Sequence, residues 1–261
     1  MNRTFNLTVR TIWLVALFAS LPLEGALYDE IQVYADELNA PGKFGLDIHL
    51  NTTLKGRTQP EYRGEETPDH GYRINPEFSY GLARTLELGA YLPMSLAADG
   101  NFRVAGGKLR LKWLPIREPE DGSGWFAGAN LELSLLQRRF EQGRWSTELR
   151  LIAGYRDPNW LVAVNVIPSW VLGKPTRNAA PDLNIDLKVS RTVAKGIALG
   201  AEYYGGFGSV RAPLSLRAQS DVLYAVLDFD RKPFVFNFGV GRGLTAGSDA
   251  WTLKAIVSIP F

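Results

Sequence analysis

The final eleven residues of the chain are Trp251-Thr252-Leu253-Lys254-Ala255-Ile256-Val257-Ser258-Ile259-Pro260-Phe261. Every second residue from Trp251 to Phe261 is apolar, and Lys254 and Ser258 stand among the residues between them. Because successive side chains of a β-strand point to opposite faces, this alternation predicts a strand with one apolar and one more polar face. Pro260 departs from the pattern, but a missing N–H costs little at the end of a strand.

The same period of two recurs from residue 44 onward. In the first example, apolar Phe44, Leu46, Ile48 and Leu50 interleave with Gly45, Asp47, His49 and Asn51. About twelve such segments follow one another, each close to the roughly 9–11 residues that a tilted strand needs to cross a bilayer. They begin near residues 44, 72, 86, 102, 125, 145, 160, 182, 197, 220, 234 and 250. The pattern predicts an all-β fold, a transmembrane antiparallel up-and-down β-barrel of about 12 strands.

Charged and aromatic residues favour a membrane barrel over a soluble fold. Period-two strands also build soluble sandwiches and lipocalin-like barrels, so the alternation alone does not identify the solvent. The face opposite the apolar residues is charged in strand after strand, as a polar lumen requires. Six of the seven Trp residues stand at or near predicted strand ends, where rings lie at lipid–water interfaces. They are Trp113, Trp125, Trp145, Trp160, Trp170 and Trp251.

The connections between predicted strands alternate in length. Short turns occur at residues 84–85, 157–159, 192–196 and 231–233, and longer Gly- and Pro-rich loops at residues 55–71, 138–144, 173–181, 208–218 and 243–249. Short periplasmic turns and longer outer loops are typical of Gram-negative outer-membrane barrels. Two connections depart from this rule, because residues 115–124 are long where a turn is expected and residues 98–101 are short where a loop is expected.

The first 26 residues have the composition of a secretory signal peptide. Arg3 and Arg10 precede an apolar run at residues 11–21, and the small pair Gly25-Ala26 follows it. The run is shorter than the roughly 20 apolar residues of a spanning helix, so an anchoring helix is the weaker alternative. The predicted organisation is a signal peptide at residues 1–26, a periplasmic N-terminal segment at 27–43 and an outer-membrane β-barrel at 44–261.

Composition excludes several classes of function. The 261 residues include no Cys, and 29 Lys and Arg against 27 Asp and Glu give a formal net charge of +2. The absence of Cys excludes disulfides, Cys-ligated zinc, iron–sulfur clusters and thiol chemistry. A nearly neutral chain has no basic field to collect nucleic acid, so nucleic acid is not expected as a partner. No cofactor or metal is predicted.

A hairpin pattern gives a closer resemblance. Residues 75–93, with the sequence NPEFSYGLARTLELGAYLP, and residues 107–113, with the sequence GKLRLKW, resemble the putative outer-membrane proteins of the phenol-degradation meta-pathway family. The resemblance implies an outer-membrane barrel and carries no defined catalytic residues. The end of the chain, with Val257, Ile259 and the terminal Phe261, resembles the signal by which such barrels are recognised for insertion. The expected partners are therefore outer-membrane lipid and the barrel-assembly machinery.

The two His residues are the first candidates for acid–base chemistry. His49 lies between Asp47 and Asn51 on the polar face of the first strand, so it is either a lumen base oriented by a carboxylate or a hydrogen-bonded residue that fills the lumen. His70 stands in the first long loop, where a solvated residue or a weak cation site is expected. Glycine runs at residues 239–243 and 205–208 lie in or after strands, which favours barrel bending over a phosphate-binding loop.

The most distinctive polar feature is a basic row of Lys108, Arg110 and Lys112 on one face of one strand. These three charges either attract anions into a wet lumen or belong to an ion-pair lattice that fills a narrow barrel. Both interpretations stay open on the sequence alone. The residues predicted to line the lumen, as candidates for selectivity, are Asp47, His49, Lys108, Arg110, Lys112, Glu132, Glu148 and Arg150.

The sequence favours a channel or facilitator for small solutes of unknown identity, and not an enzyme. One alternative is a structural or surface barrel with a plugged lumen. Another is a lipid-modifying barrel enzyme, for which His49 or His70 would be essential. Barrel phospholipases carry a His-x-Ser pattern on a lipid-facing strand, and its absence from this sequence counts against the enzyme.

Overall fold

The computed structural model describes residues 28–117, 122–173 and 180–259. The predicted signal peptide at residues 1–26 and the terminal Phe261 lie outside the described residues. Within the described ranges, no helix is long and apolar enough to cross a membrane.

The described residues form twelve long strands, two of which are interrupted. They are β1 (Phe44–Lys55), β2 (Tyr72–Ala83), β3 (Leu86–Tyr91 and Met94–Leu96), β4 (Phe102–Val104 and Gly106–Ile116), β5 (Gly124–Leu136), β6 (Trp145–Arg156), β7 (Trp160–Val171), β8 (Asp182–Ala194), β9 (Ile197–Ser209), β10 (Ser220–Arg231), β11 (Phe234–Gly243) and β12 (Trp251–Ile259). A two-residue strand, Ala212–Pro213, pairs with the end of β9. Each of these twelve strands begins within one residue of the position predicted from the alternation.

Each strand pairs antiparallel with its neighbours in sequence, and the first strand closes the sheet. Strand β1 pairs with β2, where His49 lies opposite Asn75, and with β12, where Leu50 lies opposite Ala255. This double pairing leaves no free edge, so the ladder satisfies the backbone groups around the whole circumference. The prediction of a closed antiparallel up-and-down barrel of twelve strands is confirmed for the described residues.

Two strands are interrupted at the same height of the wall. Strand β3 breaks at Leu92 and Pro93, where proline has no N–H to donate to the ladder, and β4 breaks at Ala105. The Ala105 N–H donates to the Pro93 carbonyl at 2.7 Å, which keeps the two strands joined. Strand β4 ends at Ile116 and β5 begins at Gly124, and residues 97–101 form a short connection between β3 and β4, so both departures from the alternating lengths occur where the sequence predicted them.

The barrel has a turn end and a loop end. The short turns at residues 84–85, 157–159, 195–196 and 232–233 define the turn end, and the longer connections at residues 56–71, 137–144, 172–181, 210–219 and 244–250 define the loop end. By the usual asymmetry of outer-membrane barrels, the turn end faces the periplasm.

The barrel is apolar outside and polar inside. On β4, Leu111 is 40% exposed to the exterior, whereas the next residue, Lys112, is 6% exposed and faces the lumen. On β12, Val257 and Ile259 face outward and Lys254 is buried inside, in agreement with the predicted faces of that strand. Most of the Trp residues predicted near strand ends are exposed on the outside; they are Trp113, Trp125, Trp145, Trp160 and Trp251. An apolar outer face with aromatic rings near the strand ends fits a bilayer, because the rings lie at its two interfaces with water.

The N-terminal segment lies inside the barrel. The sequence predicted a periplasmic segment at residues 27–43, but Ile31, Val33 and Tyr34 are each at most 5% exposed and pack against the inner wall. The segment crosses the lumen from the loop end to the turn end before β1 begins. The prediction missed this because the burial depends on wall groups from strands distant in sequence. Residues 28–40 are called the plug below.

We expect Leu111→Arg to impair assembly far more than Lys112→Ala. An arginine on the lipid face near the bilayer midplane costs roughly 2–4 kcal/mol. The alanine at position 112 loses one hydrogen bond to a backbone carbonyl and a cation–π contact, but it also removes the buried charge that needed them. Assembly is measured as the fraction of heat-modifiable protein on unboiled gels, with Leu111→Ala as the control for loss of leucine. Equal assembly of the arginine and Lys112→Ala variants would contradict the inside and outside faces assigned to β4.

Candidate functional site

The plug runs along the lumen and is held at both ends by ion pairs. Near the loop end, Asp29 pairs with Lys108 of β4 at 3.0 Å. Near the turn end, Asp36 pairs with Arg156 of β6 at 2.6 Å. Beyond the plug, the Gly42 N–H donates to the backbone of β2 at 2.8 Å, where the chain joins the wall. The plug therefore occupies the lumen from near its loop end to near its turn end.

Tyr34 at the centre of the plug is bound on several sides. Its N–H donates to Asn165 Oδ1 at 2.7 Å, and Asn165 Nδ2 donates to the Tyr34 carbonyl at 2.9 Å. Its hydroxyl lies 2.6 Å from the Tyr91 hydroxyl. Lys112 Nζ and the Arg150 guanidinium lie 4.8 and 4.5 Å from its ring centroid, within the range of a cation–π interaction. A single wall amide thus pairs with both backbone groups of one plug residue.

Wall side chains also donate to backbone carbonyls along the plug. Lys254 donates to Ile31 O at 3.1 Å, Arg150 to Gln32 O at 2.8 Å and Lys112 to Glu37 O at 2.8 Å. Asn51 Nδ2 donates to the carbonyls of Tyr28 and Asp29, each at 3.2 Å. Buried cations need acceptors of this kind, because an unpaired charge in a low-dielectric interior is costly. The plug supplies them.

Apolar patches on the inner wall match apolar residues of the plug. Val33 and Ala35 pack in one cluster whose wall members are Leu114, Phe126, Ile152, Leu161 and Ala163. Ile31 packs in a second cluster with Val222, Tyr224 and Val226. The alternation suggested a uniformly polar lumen wall, but the wall carries two apolar patches. Burial of these side chains stabilises the plug in place at about 25 cal/mol for each Å² of apolar surface.

His49 belongs to a charged cluster beside the plug. Its Nε2 lies 3.0 Å from a Glu77 carboxylate oxygen, and Arg110 Nε donates to the other Glu77 oxygen at 2.6 Å. Arg110 also pairs with Glu87 at 2.7 Å, and Glu87 accepts from the Asn39 N–H of the plug at 2.6 Å. His49 is thus completely buried and hydrogen-bonded, and its partner is Glu77, which lies opposite Asp47 on β2.

The other residues of the predicted set also line the lumen. Lys108 pairs with Glu132 at 3.1 Å as well as with Asp29, and Arg150 pairs with Glu148 at 3.1 Å. Asp47 lines the cavity at the turn end. Each cation of the basic row has an acceptor on the wall or on the plug, so the lattice interpretation agrees with the contacts of the plugged barrel. The role of these residues in selectivity stays a proposal.

Sequence reasoning missed Glu202, which lies at the centre of a second charged cluster. Glu202 of β9 pairs with Lys254 of β12 and, at 3.1 Å, with Lys188 of β8, which pairs in turn with Asp228 of β10 at 2.9 Å. Tyr204 also donates to Glu202 at 2.6 Å. Lys254 was visible as a polar residue in the last strand, whereas glycines and tyrosines around Glu202 obscure the alternation in β9.

The plug leaves a cavity at each end of the lumen. Among the described lining residues, the loop-end cavity, of about 410 Å³, has six carboxylates and two cations. The carboxylates are Asp29, Glu61, Glu132, Glu141, Glu148 and Asp182, and the cations are Arg73 and Lys108. Burial raises the pKa of Glu141, in the loop that follows β5, to about 7. The turn-end cavity, of about 1070 Å³, has nearly balanced charges.

The remaining sequence candidates lie outside this site. His70 is exposed in the first loop and pairs with Asp69 at 2.8 Å. Both glycine runs lie in or beside strands, and a Cβ at Gly241 would come within 2.5 Å of the Tyr224 ring, so this glycine leaves room for an inward aromatic side chain. Within the described ranges, no group of three or more His, Cys, Asp or Glu residues is arranged to hold a metal ion.

Comparisons with known proteins identify the fold. No protein-family model matches the chain, so the resemblance to the phenol-degradation meta-pathway family is not confirmed. No curated protein matches it either. Among solved structures, the COG4313 outer membrane channel from Pseudomonas putida F1 has a TM-score of 0.58 and 15% identity, over 89% of this chain and 100% of that chain. The KdgM porin has a TM-score of 0.51 and 12% identity, over 83% of this chain and 99% of that chain.

This chain has the fold of an outer-membrane β-barrel. The closed wall, the apolar exterior and the aromatic residues near strand ends agree with that fold, and the predicted location in the outer membrane is confirmed. At these levels of identity the comparisons establish architecture. The function has to be argued from the lumen.

We expect Arg110→Gln to lower the free energy of unfolding by about 3–5 kcal/mol, because it leaves Glu77 and Glu87 buried without their shared cation. The measurement is a urea titration of the barrel in lipid vesicles, with Arg84→Gln in an exposed turn as the matched control. The double variant Arg110→Gln/Glu77→Gln should recover part of the loss. An Arg110→Gln midpoint equal to that of the control would show that this cluster does not hold the lumen together.

Proposed function

We propose that the protein is an outer-membrane channel for small solutes, closed by its own N-terminal plug. The observation that carries the proposal is the plug itself. No residue from 28 to 40 belongs to a strand, and the plug is bound by side chains of the wall, which contact its side chains, carbonyls and N–H groups. Its departure would leave the barrel ladder intact and open a continuous path.

The neighbouring structures support this proposal. Their names describe a porin and an outer membrane channel, and one further structure at a TM-score of 0.50 is the KdgM porin in complex with disordered oligogalacturonate. A barrel of twelve strands is wider than the filled eight-stranded barrels and narrower than the water-filled porins of about sixteen strands. A lumen of this width suits one extended chain or a small solute.

Ion selectivity is the finer part of the proposal. The basic row was expected to attract anions into a wet lumen, but Lys108 and Arg110 pair with carboxylates of the wall that remain when the plug leaves. These carboxylates are Glu132, Glu77 and Glu87. Carboxylates outnumber cations around the loop-end cavity. We therefore expect the open channel to favour cations, since rings of carboxylates at a pore entrance attract cations and repel anions.

A lipid-modifying enzyme is less consistent with the structure. His49 is completely buried beside Glu77, and His70 lies in the first loop, so neither is placed on the lipid-facing wall. A plugged structural barrel is the competing candidate, because the plug is bound by ion pairs and apolar packing along much of its length. The following conductance experiment distinguishes a structural plug from a displaceable one.

We expect Asp36→Asn to increase the open probability of single channels in planar bilayers by roughly fivefold. This change removes the carboxylate that binds Arg156 at the turn end, and a partly exposed ion pair of this kind contributes at most about 1 kcal/mol. The matched control is Asp99→Asn, which neutralises an exposed carboxylate in a surface turn.

A channel proposal requires brief openings in the wild type and longer ones in Asp36→Asn, with the control unchanged. If none of the three proteins conducts in bilayers and none takes up solute in proteoliposomes, the structural barrel is favoured instead.

We also expect the preference for cations to rise as the pH is raised from about 6 to about 8. Glu141 has a pKa of about 7, so it is neutral below this pH and negative above it. Lys108, Asp29 and Glu132 are the charged groups that face it. The reversal potential in a KCl gradient measures the permeability ratio. Glu141→Gln should flatten this pH dependence, and an identical pH profile in the two proteins would contradict the assignment.

A further inference from the structure

The wall binds the plug through features common to any peptide backbone. Asn165 pairs with both the N–H and the carbonyl of Tyr34, at 2.7 and 2.9 Å. Arg150 and Lys254 donate to the carbonyls of successive plug residues, Gln32 and Ile31. An amide side chain that accepts from the N–H and donates to the carbonyl of one residue fits an extended peptide, because those two groups recur at fixed spacing along it.

The wall also selects side chains at particular positions. The Tyr34 ring lies among the cations Lys112 and Arg150, and its hydroxyl lies against that of Tyr91. Lys108 toward the loop end and Arg156 toward the turn end pair with carboxylates on either side of this ring. These contacts favour an aromatic residue near the middle of the bound segment and acidic residues flanking it.

We propose that the lumen is a binding site for an extended acidic peptide with a central aromatic residue, and that residues 28–40 occupy this site intramolecularly. The proposal rests on the proposed function and names the class of ligand that the same lumen takes. When the plug leaves, wall cations lose their acceptors, and a peptide with the same pattern restores them. The plug is thus a tethered competitor of such a ligand.

The link between the plug and the wall offers a direct test. Residues 40–43 are exposed, and a Cβ at Gly42 would contact no atom within 4 Å, so this link has room for an inserted segment. A specific protease site inserted between Pro41 and Gly42 of the full chain is cut after the barrel has assembled. The cut plug can then exchange with a fluorescent synthetic peptide of residues 28–40, and binding is followed by fluorescence anisotropy.

We expect saturable binding of this peptide to the cut barrel and little binding to the uncut barrel, whose site is occupied. A peptide carrying Tyr34→Ala should bind at least about tenfold more weakly, since it loses the ring and hydroxyl contacts. A peptide of the same composition in scrambled order is the control for charge alone. In the wall, Asn165→Ala should weaken binding by a similar factor, whereas Asn101→Ala in a surface turn should not.

Equal binding of the ordered and scrambled peptides would overturn the proposal, and so would release of the plug with no rebinding of the peptide. Competition by an acidic oligosaccharide without competition by unlabelled peptide would assign the lumen to carbohydrate and overturn it as well.

If the inserted chain fails to give a heat-modifiable band, the full chain with Tyr34→Ala and Asp36→Asn, which weakens the plug, serves as the receptor instead. Peptide binding without conductance would refute the channel and leave the peptide site standing.

Discussion

Charged groups buried in the lumen require partners, and the rest of the structure depends on this requirement. Lys254, Arg110 and Arg150 are all at most 9% exposed inside a barrel whose outer face meets lipid. A lone charge in such a place costs several kcal/mol, so each cation is surrounded by carboxylates from neighbouring strands or by carbonyls of the plug. The wall and the plug therefore belong to one network of ion pairs and hydrogen bonds.

The plug contributes to this network differently from the strands. A strand satisfies its backbone in the ladder and offers only side chains to the lumen. The plug has no ladder, so its carbonyls accept from Lys112, Arg150 and Lys254, while its apolar residues cover the patches around Phe126 and Val222. The same contacts that close the lumen thus form a binding site that another chain with the same pattern could occupy.

The plug can leave the lumen without loss of the wall because the plug and the wall are held by different bonds. The barrel wall is held by the hydrogen bonds of a continuous ladder, and the plug is held by side-chain contacts that leave the ladder untouched. Loss of the plug would therefore cost the free energy of its own contacts and would not unfold the wall. This separation is what the proposed opening of the channel requires.

The sequence by itself determined the wall. Alternation along strands such as β4 and β12 located the strands to within a residue and placed Leu111 outside and Lys112 inside, because the period of a strand fixes its faces locally. It also identified the lumen side of the predicted site residues. It could not choose between an open charged lumen and an ion-pair lattice, since that depends on which strands become neighbours.

Only the tertiary structure decided what fills the lumen. Ile31, Val33 and Ala35 are apolar at alternate positions, and acidic residues flank this segment on both sides. This pattern is visible in the sequence, but it fits an exposed strand as well as a segment buried in the lumen. Their burial requires Phe126, Ile152 and Val222, which lie about 90 to 190 residues further along the chain and come together only when β1 pairs with β12. The inner and outer faces of each strand follow from the local geometry of its backbone, whereas the plug and the wall become complementary only after the barrel has closed.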